Sequence, residues 1–386
     1  MTRKLGIGMV GYAFMGALHS QGWRTLNHVY DLGVDVEMRA ICGRNADAVS
    51  AAAGKLGWSS FETDWRALVA RDDIDIIDVC TPGDSHEEIA VAALAAGKNV
   101  LCEKPLANSV AEAERMTAAA ALATGKSMVG FSYRRVPAVT YAQQLIESGR
   151  LGRIFHVRAV YLQDWIVDAD FPLVWRLQKD IAGSGALGDI GAHIIDMAQF
   201  ITGSSITGVS GLTETFITER PLVGEVQLLK ATPSSERGQV TVDDAALFHA
   251  RFDNGAIGSF EATRFANGRG NGLEIEVNGS LGSLRFDFQS MNELSIYDHT
   301  VDSKDAGWTT ISVTQPGHPY MSAWWPPGHL IGYEHSFTHE FRDFVDAIVS
   351  DGDPRPSFAD GLQVQRVLDA VEQSAAAESR WTGVGR

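Results

Sequence analysis

Asp189 and His193 stand four residues apart in the stretch Gly183-Ser184-Gly185-Ala186-Leu187-Gly188-Asp189-Ile190-Gly191-Ala192-His193. On a helix that spacing puts a carboxylate and an imidazole on one face. Ile190, Ile194, Met197 and Ile201 form an apolar stripe beside them, so the pair lies at the border of a core. A carboxylate can set an imidazole's tautomer and raise its basicity toward working pH, which is general acid–base chemistry. Taken alone, the pair reads more readily as a capping acid and a satisfied core histidine. Lys104 follows the apolar run from Asn99 to Cys102 and Glu103, and Pro105 locks it from behind. A cation held this stiffly after a buried strand suits a site, although a lone lysine in a loop is usually surface. His335 and His339 are also four apart. They lack the glutamate beside the first histidine that a zinc-protease helix carries, and no metal site is expected. Asp243-Asp244 reads as a solvated pair at a strand start. No serine elbow or cysteine–histidine arrangement stands out.

A second chemistry sits at the N-terminus. Leu5 to Val10 reads as a short buried strand, then Gly11-Tyr12-Ala13-Phe14-Met15-Gly16 leads into a helix. In this strand–turn–helix setting the first glycine permits a tight turn and the second position lets backbone approach a pyrophosphate. The third lets helix pack on strand. Ala13 at the second position adds one methyl group. The helix end offers amides and a positive dipole to phosphate. The second strand, Met38 to Cys42, ends in Gly43-Arg44, where an NAD site usually has an acid for the ribose hydroxyls. Arg44 could lie over adenine or meet a 2′-phosphate, so NAD and NADP both remain open here.

The elements that must position these residues follow from periodicity. A strand over Ile74–Pro82, a capping box Ser85 to Glu88, the strand Asn99–Cys102, a second box Ser109 to Glu112 and a strand over Met128–Ser132 alternate with helical stretches. This is the pattern of a doubly wound parallel sheet. Phe14, Thr81, Pro82, Glu103, Lys104 and Tyr133 fall at the carboxyl ends of its strands, where such sheets bind ligands. From Ile154 the period becomes two. Strands are expected near Val242–Phe252, Ala256–Thr263, Leu273–Val277, Ser283–Phe288 and Glu293–Tyr297, joined by Asp253-Asn254-Gly255 and Asn278-Gly279-Ser280 turns. This predicts an α+β domain with a large, mostly antiparallel open sheet. Helices are expected around Ser336–Val349 and Gly361–Ala377. The division is 1–133 nucleotide domain, 134–355 sheet domain and 356–386 a C-terminal helix.

Composition narrows the partners. The chain has 386 residues and a net charge of −16. Such an acidic field repels phosphate backbones and anionic lipid, which argues against nucleic acid and membrane surfaces. No apolar run reaches the ~20 residues that span a bilayer. The N-terminus lacks a signal peptide's apolar core, and three separate cysteines, Cys42, Cys80 and Cys102, suit buried thiols in a reducing compartment. A cytoplasmic protein is expected.

Together, Gly11 to Gly16, Thr81-Pro82 with His86, Glu103-Lys104-Pro105, Tyr133-Arg134 and Asp189…His193 resemble the glucose–fructose oxidoreductase / inositol dehydrogenase / MocA (Gfo/Idh/MocA) family over nearly the whole chain. Glu-Lys-Pro followed by Asp-x-x-x-His is far more specific than the glycine motif, and it reverses the bland readings of Lys104 and of the Asp–His pair. The resemblance implies NAD-dependent oxidation of a secondary hydroxyl of a cyclic sugar or anhydrosugar. His193 would be the general base, Asp189 would orient it, and Lys104 would hydrogen-bond the reacting hydroxyl. Gly11, Ala13, Phe14, Met15, Gly16, Arg44, Thr81, Pro82, His86, Glu103 and Lys104 would line the cofactor. Tyr133, Gln163, Trp165, Arg176 and His335 join Lys104, Asp189 and His193 as expected substrate contacts. An inositol or aldose dehydrogenase, an NAD-dependent glycosidase and a non-catalytic dinucleotide-binding regulator are the alternatives. The open sheet suggests a homo-oligomer, a dimer or tetramer, and the C-terminal segment is expected to pack back toward the nucleotide domain.

Overall fold

The computed structural model describes residues 3–227 and 230–385. Its contacts divide the chain into two compact units. The first is made mainly of the residues through Ser132 together with Tyr333–Gln365. Its strands are β1 (Arg3–Val10), β2 (Val34–Cys42), β3 (Ser60–Glu62), β4 (Ile76–Val79), β5 (Asn99–Glu103) and β6 (Ser127–Gly130). They form one parallel sheet in the order β3-β2-β1-β4-β5-β6, and the reversal of order between β1 and β4 is the switch point where such sheets take ligands. The strands are apolar runs because the sheet is buried: Leu5, Ile7, Met9, Ile76, Ile77 and Val79 are fully enclosed.

Helices α1 (Phe14–Val29), α2 (Ala46–Leu56), α3 (Trp65–Val69), α4 (His86–Ala95) and α5 (Val110–Leu122) make the crossovers. Local chemistry starts and stops them. Asn45 caps α2 by accepting from the Ala48 amide at 3.0 Å, and Gly57 ends it in the left-handed region at φ 83°, as glycine alone does without strain. Ser109 accepts from the Glu112 amide at the head of α5, as expected. The other expected box is absent. Ser85 lies in a short 3₁₀ turn, Gly83–Ser85, and its hydroxyl bonds to Thr81 and Pro82 instead.

The second unit takes Tyr133–Val226, Ala231–Gly332 and the chain from Arg366. It contains α6 (Pro137–Glu147), β7 (Ile154–Leu162), α7 (Lys179–Ala182), α8 (Ala192–Thr202), β8 (Ile206–Glu214), β9 (Glu219–Gln227), β10 (Lys230–Gln239), β11 (Ala245–Phe252), β12 (Ile257–Thr263), β13 (Gly272–Gly279), β14 (Gly282–Asp287), β15 (Glu293–Asp298), β16 (Trp308–Ser312) and β17 (Thr382–Gly383). Nine strands form one sheet, β16-β15-β14-β13-β7-β12-β11-β8-β17, while β9 and β10 pair separately. The β7–β12 pair is parallel and its neighbours are antiparallel. Alternation along β11 buries Phe248, Ala250 and Phe252 and leaves Leu247 half exposed. The buried face carries α8 on β7 and β13.

Helix α9 (His335–Ser350) falls within 134–355, yet the structure groups it with the first unit. The reason is aromatic packing on α1: Phe341 stacks on Trp23 at 4.1 Å, and Phe337 and Phe341 both meet the His19 ring. Helix α10 (Phe358–Ala376) begins in the first unit and ends in the second. No helix among the described residues is long and apolar enough to cross a membrane.

Candidate active site

The glycine turn is built for close backbone approach. Gly11 has φ 108°, and a Cβ there would lie 2.7 Å from the Cys80 carbonyl. At Gly16 a Cβ would sit 2.3 Å from the Gly11 carbonyl. Ala13 occupies the N-cap of α1 with no side-chain cap, and the first turn has no acid. Phe14 stands 40% exposed beside it, and Met15 packs partly on the core. Helix amides left uncapped by side chains and unopposed by an acid fit a pyrophosphate.

The departure at Gly43 has a steric cause. A Cβ at this position would lie 2.0 Å from Cε1 of Tyr12, so the tyrosine ring of the glycine turn covers the end of β2. Arg44 is exposed just beyond it, and its charge acts on Asp84.

At the ends of β4 and β5 the side chains turn inward. His19 of α1 is fully buried. Its Nδ1 meets the Asp78 carboxylate at 2.9 and 3.0 Å, and its Nε2 meets Glu103 Oε1 at 3.0 Å. Burial is the largest single influence and opposes a charge on this ring, but Asp78 and Cys80 together outweigh it and the imidazole pKa stands well above its ordinary value. Trp23 donates to Asp78 at 2.7 Å, and Cys80 lies 3.2 Å from His19. His19, Asp78 and Cys80 have metal-ligand chemistry, yet hydrogen bonds within the cluster already engage each of them.

Glu103 and His86, expected at the cofactor, have different engagements. Glu103 is buried, with one oxygen on His19 and the other accepting the Lys104 amide at 3.1 Å. His86 is 1% exposed. Its Nδ1 faces the Pro105 carbonyl at 3.1 Å and its Nε2 the Thr81 carbonyl at 2.9 Å. With both ring nitrogens directed at carbonyls, His86 acts through the loops it ties and not through a hydrogen bond to a nucleotide. Lys104, Thr81 and Pro82 are half-buried around it. His335 heads α9 in the same unit, 3.6 Å from Glu334.

In the second unit Asp189 lies in a π-helical turn, Leu187–Gly191, that runs directly into α8. Such turns are rare and often mark functional sites. Gly188 permits this one, because a Cβ there would strike the Ser184 hydroxyl. Asp243, expected in solvent, accepts the amides of Gly185 and Leu187 at 2.7 and 2.8 Å and so holds the approach. Burial pushes its pKa up against those two bonds. Asp244 is fully enclosed and accepts from Phe216 and Ile217. The solvated reading of this pair fails because both acids cap backbone amides inside the fold.

Asp189 faces two cations. Arg264 of the β12 end, fully buried, donates to it at 3.0 Å and to the Gly185 carbonyl at 2.9 Å. Arg176 lies 4.0 Å away. His193 is 9% exposed, its ring stacked on Tyr133 at 4.4 Å. From Tyr133 a polar chain runs outward. Its hydroxyl meets that of Tyr161 at 2.8 Å, and Tyr161 donates to Asn271 Oδ1 at 2.8 Å. Gln163 donates to the same oxygen at 2.9 Å, and Trp165 donates to Gln163 at 2.9 Å. The structure thus assembles five of the expected residues, Tyr133, Gln163, Trp165, Asp189 and His193, with Arg176 beside them. Tyr161, Asn271 and Arg264 were missed. Tyr161 shares the two-residue period of Gln163 and Trp165, a signal that could have found it. Arg264 and Asn271 carry no local signal.

Family models cover most of the chain: an oxidoreductase family with NAD-binding Rossmann fold over residues 5–131, and a GFO/IDH/MocA C-terminal domain over residues 139–285. The chain is similar to levoglucosan dehydrogenase of Pseudarthrobacter phenanthrenivorans, 41% identical across 99% of this chain and 98% of that protein. Among solved structures it resembles an oxidoreductase domain protein from Kribbella flavida, at TM-score 0.96 and 61% identity with both chains fully covered. A levoglucosan dehydrogenase in complex with NADH and levoglucosan matches at TM-score 0.93 and 40% identity, over 99% of this chain and 100% of that one.

Proposed function

The chain belongs to the GFO/IDH/MocA family of oxidoreductases, and on that footing we propose that it oxidises levoglucosan, a cyclic anhydrosugar, to its 3-keto form with NAD. The observation that carries this reading is the wall built by Tyr133, Tyr161, Asn271, Gln163 and Trp165 beside Asp189 and His193. Its members are neutral hydrogen-bonding groups and flat rings, which suit an uncharged, hydroxyl-rich ring. An uncharged substrate is also indifferent to the −16 field.

His193 takes the hydroxyl proton. Tyr133, stacked on its ring, holds the imidazole plane. Asp189 faces Arg264 and Arg176; it accepts hydrogen bonds from sugar hydroxyls and orients the base. Lys104 hydrogen-bonds the reacting oxygen and favours alkoxide character. Nicotinamide, when bound, supplies the hydride acceptor. The uncapped amides after Gly11 hold the pyrophosphate, and Tyr12 and Arg44 border the adenosine end. Arg176 and His335 complete the sugar contacts.

We assign the protein to the cytoplasm and to a homo-oligomer. Phe155, Leu212, Leu247 and Ile257 are exposed on the open sheet, and Leu212 lies directly opposite Leu247. Exposed apolar side chains on an open sheet face suit a second copy. The test of function is a panel of sugars, anhydrosugars and inositols with NAD and NADP separately, followed by nicotinamide absorbance. Turnover of levoglucosan with NAD is expected. Turnover confined to inositols, or to NADP, overturns the assignment, and release of an aglycone without net NADH marks a glycosidase.

A further inference from the structure

We propose that two buried histidines, His19 and His86, are positioning residues that bracket the Lys104 peptide from its two sides. The inference rests on the role assigned to Lys104 above. On the N-terminal side, Glu103 closes β5 with its carboxylate turned into the core. One oxygen takes His19 Nε2 at 3.0 Å and the other takes the Lys104 amide at 3.1 Å. His19 is itself fixed by Asp78, which Trp23 also anchors. The room for this carboxylate is left by Gly130 of β6, where a Cβ would lie 2.9 Å from Glu103 Oε1. On the C-terminal side, His86 Nδ1 faces the carbonyls of Pro105 and Leu106 at 3.1 and 3.3 Å, while its Nε2 faces Thr81.

A buried charged chain of this kind is a poor source of stability. Desolvating the ions costs about as much as their attraction returns, and an apolar replacement is often as stable. What it provides is one defined place for the group it ends on. A lysine side chain has four carbon torsions and gains most from a backbone that does not move. A misplacement of about 1 Å costs about a hundredfold in rate. Two helices of the nucleotide fold, α1 and α4, therefore hold Lys104 through hydrogen bonds that never touch substrate.

The experiment uses the full-length protein with His19→Gln, Glu103→Gln, His86→Gln, Lys104→Ala and the pairwise combinations with Lys104→Ala. Each is measured for thermal unfolding, NADH affinity by fluorescence, and kcat and KM on the substrate that wild type turns over best. The three bracket variants are expected to fold and to bind NADH within about twofold of wild type. Their kcat should fall by about a hundredfold with KM little changed, and none should add to the loss in Lys104→Ala. Independently of turnover, acylation of Lys104 read by peptide mass spectrometry should change several-fold in the bracket variants while other lysines keep their rates. Unchanged kcat, losses that multiply onto Lys104→Ala, or unaltered Lys104 labelling overturns the proposal. If one variant fails to fold, the other side of the bracket decides. If Lys104→Ala keeps full turnover, the role given to Lys104 falls, and the labelling still decides whether the histidines hold it.

Discussion

A proton acceptor is useful only where its ring is held, and Tyr133 stacks on the His193 ring at 4.4 Å. Its expected partner, Asp189, also accepts from Arg264. In the proposed reaction Asp189 orients the base and meets sugar hydroxyls, and His193 gains the proton. His193→Ala should lower kcat by about a hundredfold or more while NADH affinity by fluorescence stays at the wild-type value. Lost NADH affinity would put His193 at a different site. Much of this was legible in sequence, because a four-residue spacing and a Glu-Lys-Pro run are local. Arg264 was not, since it lies 75 residues from Asp189 and looks like any arginine near a strand end. Asp243 was misread for the same reason: nothing beside it shows that the amides of Gly185 and Leu187 will come to it.

The elements carry these side chains by packing. Helix α8 is tied at Asp196 to Arg134 by a buried pair at 2.8 Å, both members under a tenth exposed. Arg134→Met leaves Asp196 buried without its cation and should cost about 3 kcal/mol, seen as a lower urea midpoint. The π-helical turn depends on Asp243 in turn. Asp243→Ala strips the acceptor from two amides and should cost about 2 kcal/mol. The same variant should lower kcat more than it lowers NADH affinity, because the turn presents Asp189. The five strands expected from β11 to β15 form near their predicted limits, since alternation and Asn-Gly turns are short-range signals. Strands β8, β9, β10 and β16 were not anticipated. In β8, Gly208 and Gly211 interrupt the apolar pattern, yet a Cβ at Gly211 would meet Phe248 and Val371, so packing decides that strand. The π-turn is invisible to a period of 3.6 for the same reason.

At the scale of the molecule, the nucleotide fold carries a charge in its core. His19 is faced by Asp78 of β4, by Cys80, by Glu103 of β5 and by the rings of Phe337 and Phe341 from α9. Its folded pKa lies above the ordinary 6.5. The stabilisation is therefore complete below that value and is lost as pH rises through the folded one. Urea unfolding between about pH 7 and pH 10 should show stability falling more steeply in wild type than in His19→Gln. Parallel curves would remove His19 from the alkaline transition. The open face of the second unit makes a separate prediction. Leu247→Glu, on an exposed strand position, should leave the fold intact and lower the mass seen by light scattering, whereas an unchanged mass would place the interface elsewhere.

The groups from which the chemistry of this chain is proposed were legible in sequence. Gly11 must turn where a side chain cannot, a lysine locked before a proline must be stiff, and an acid four residues before a histidine shares its helical face. Each is a steric fact about a few neighbouring residues. The partners that hold these groups were chosen by tertiary structure. The strand order β3-β2-β1-β4-β5-β6 brings His19 to a glutamate 84 residues away. The β12 end brings Arg264 to Asp189. Buried ions must find counter-charges, and which ones they meet depends on the path of the sheet and not on any local pattern.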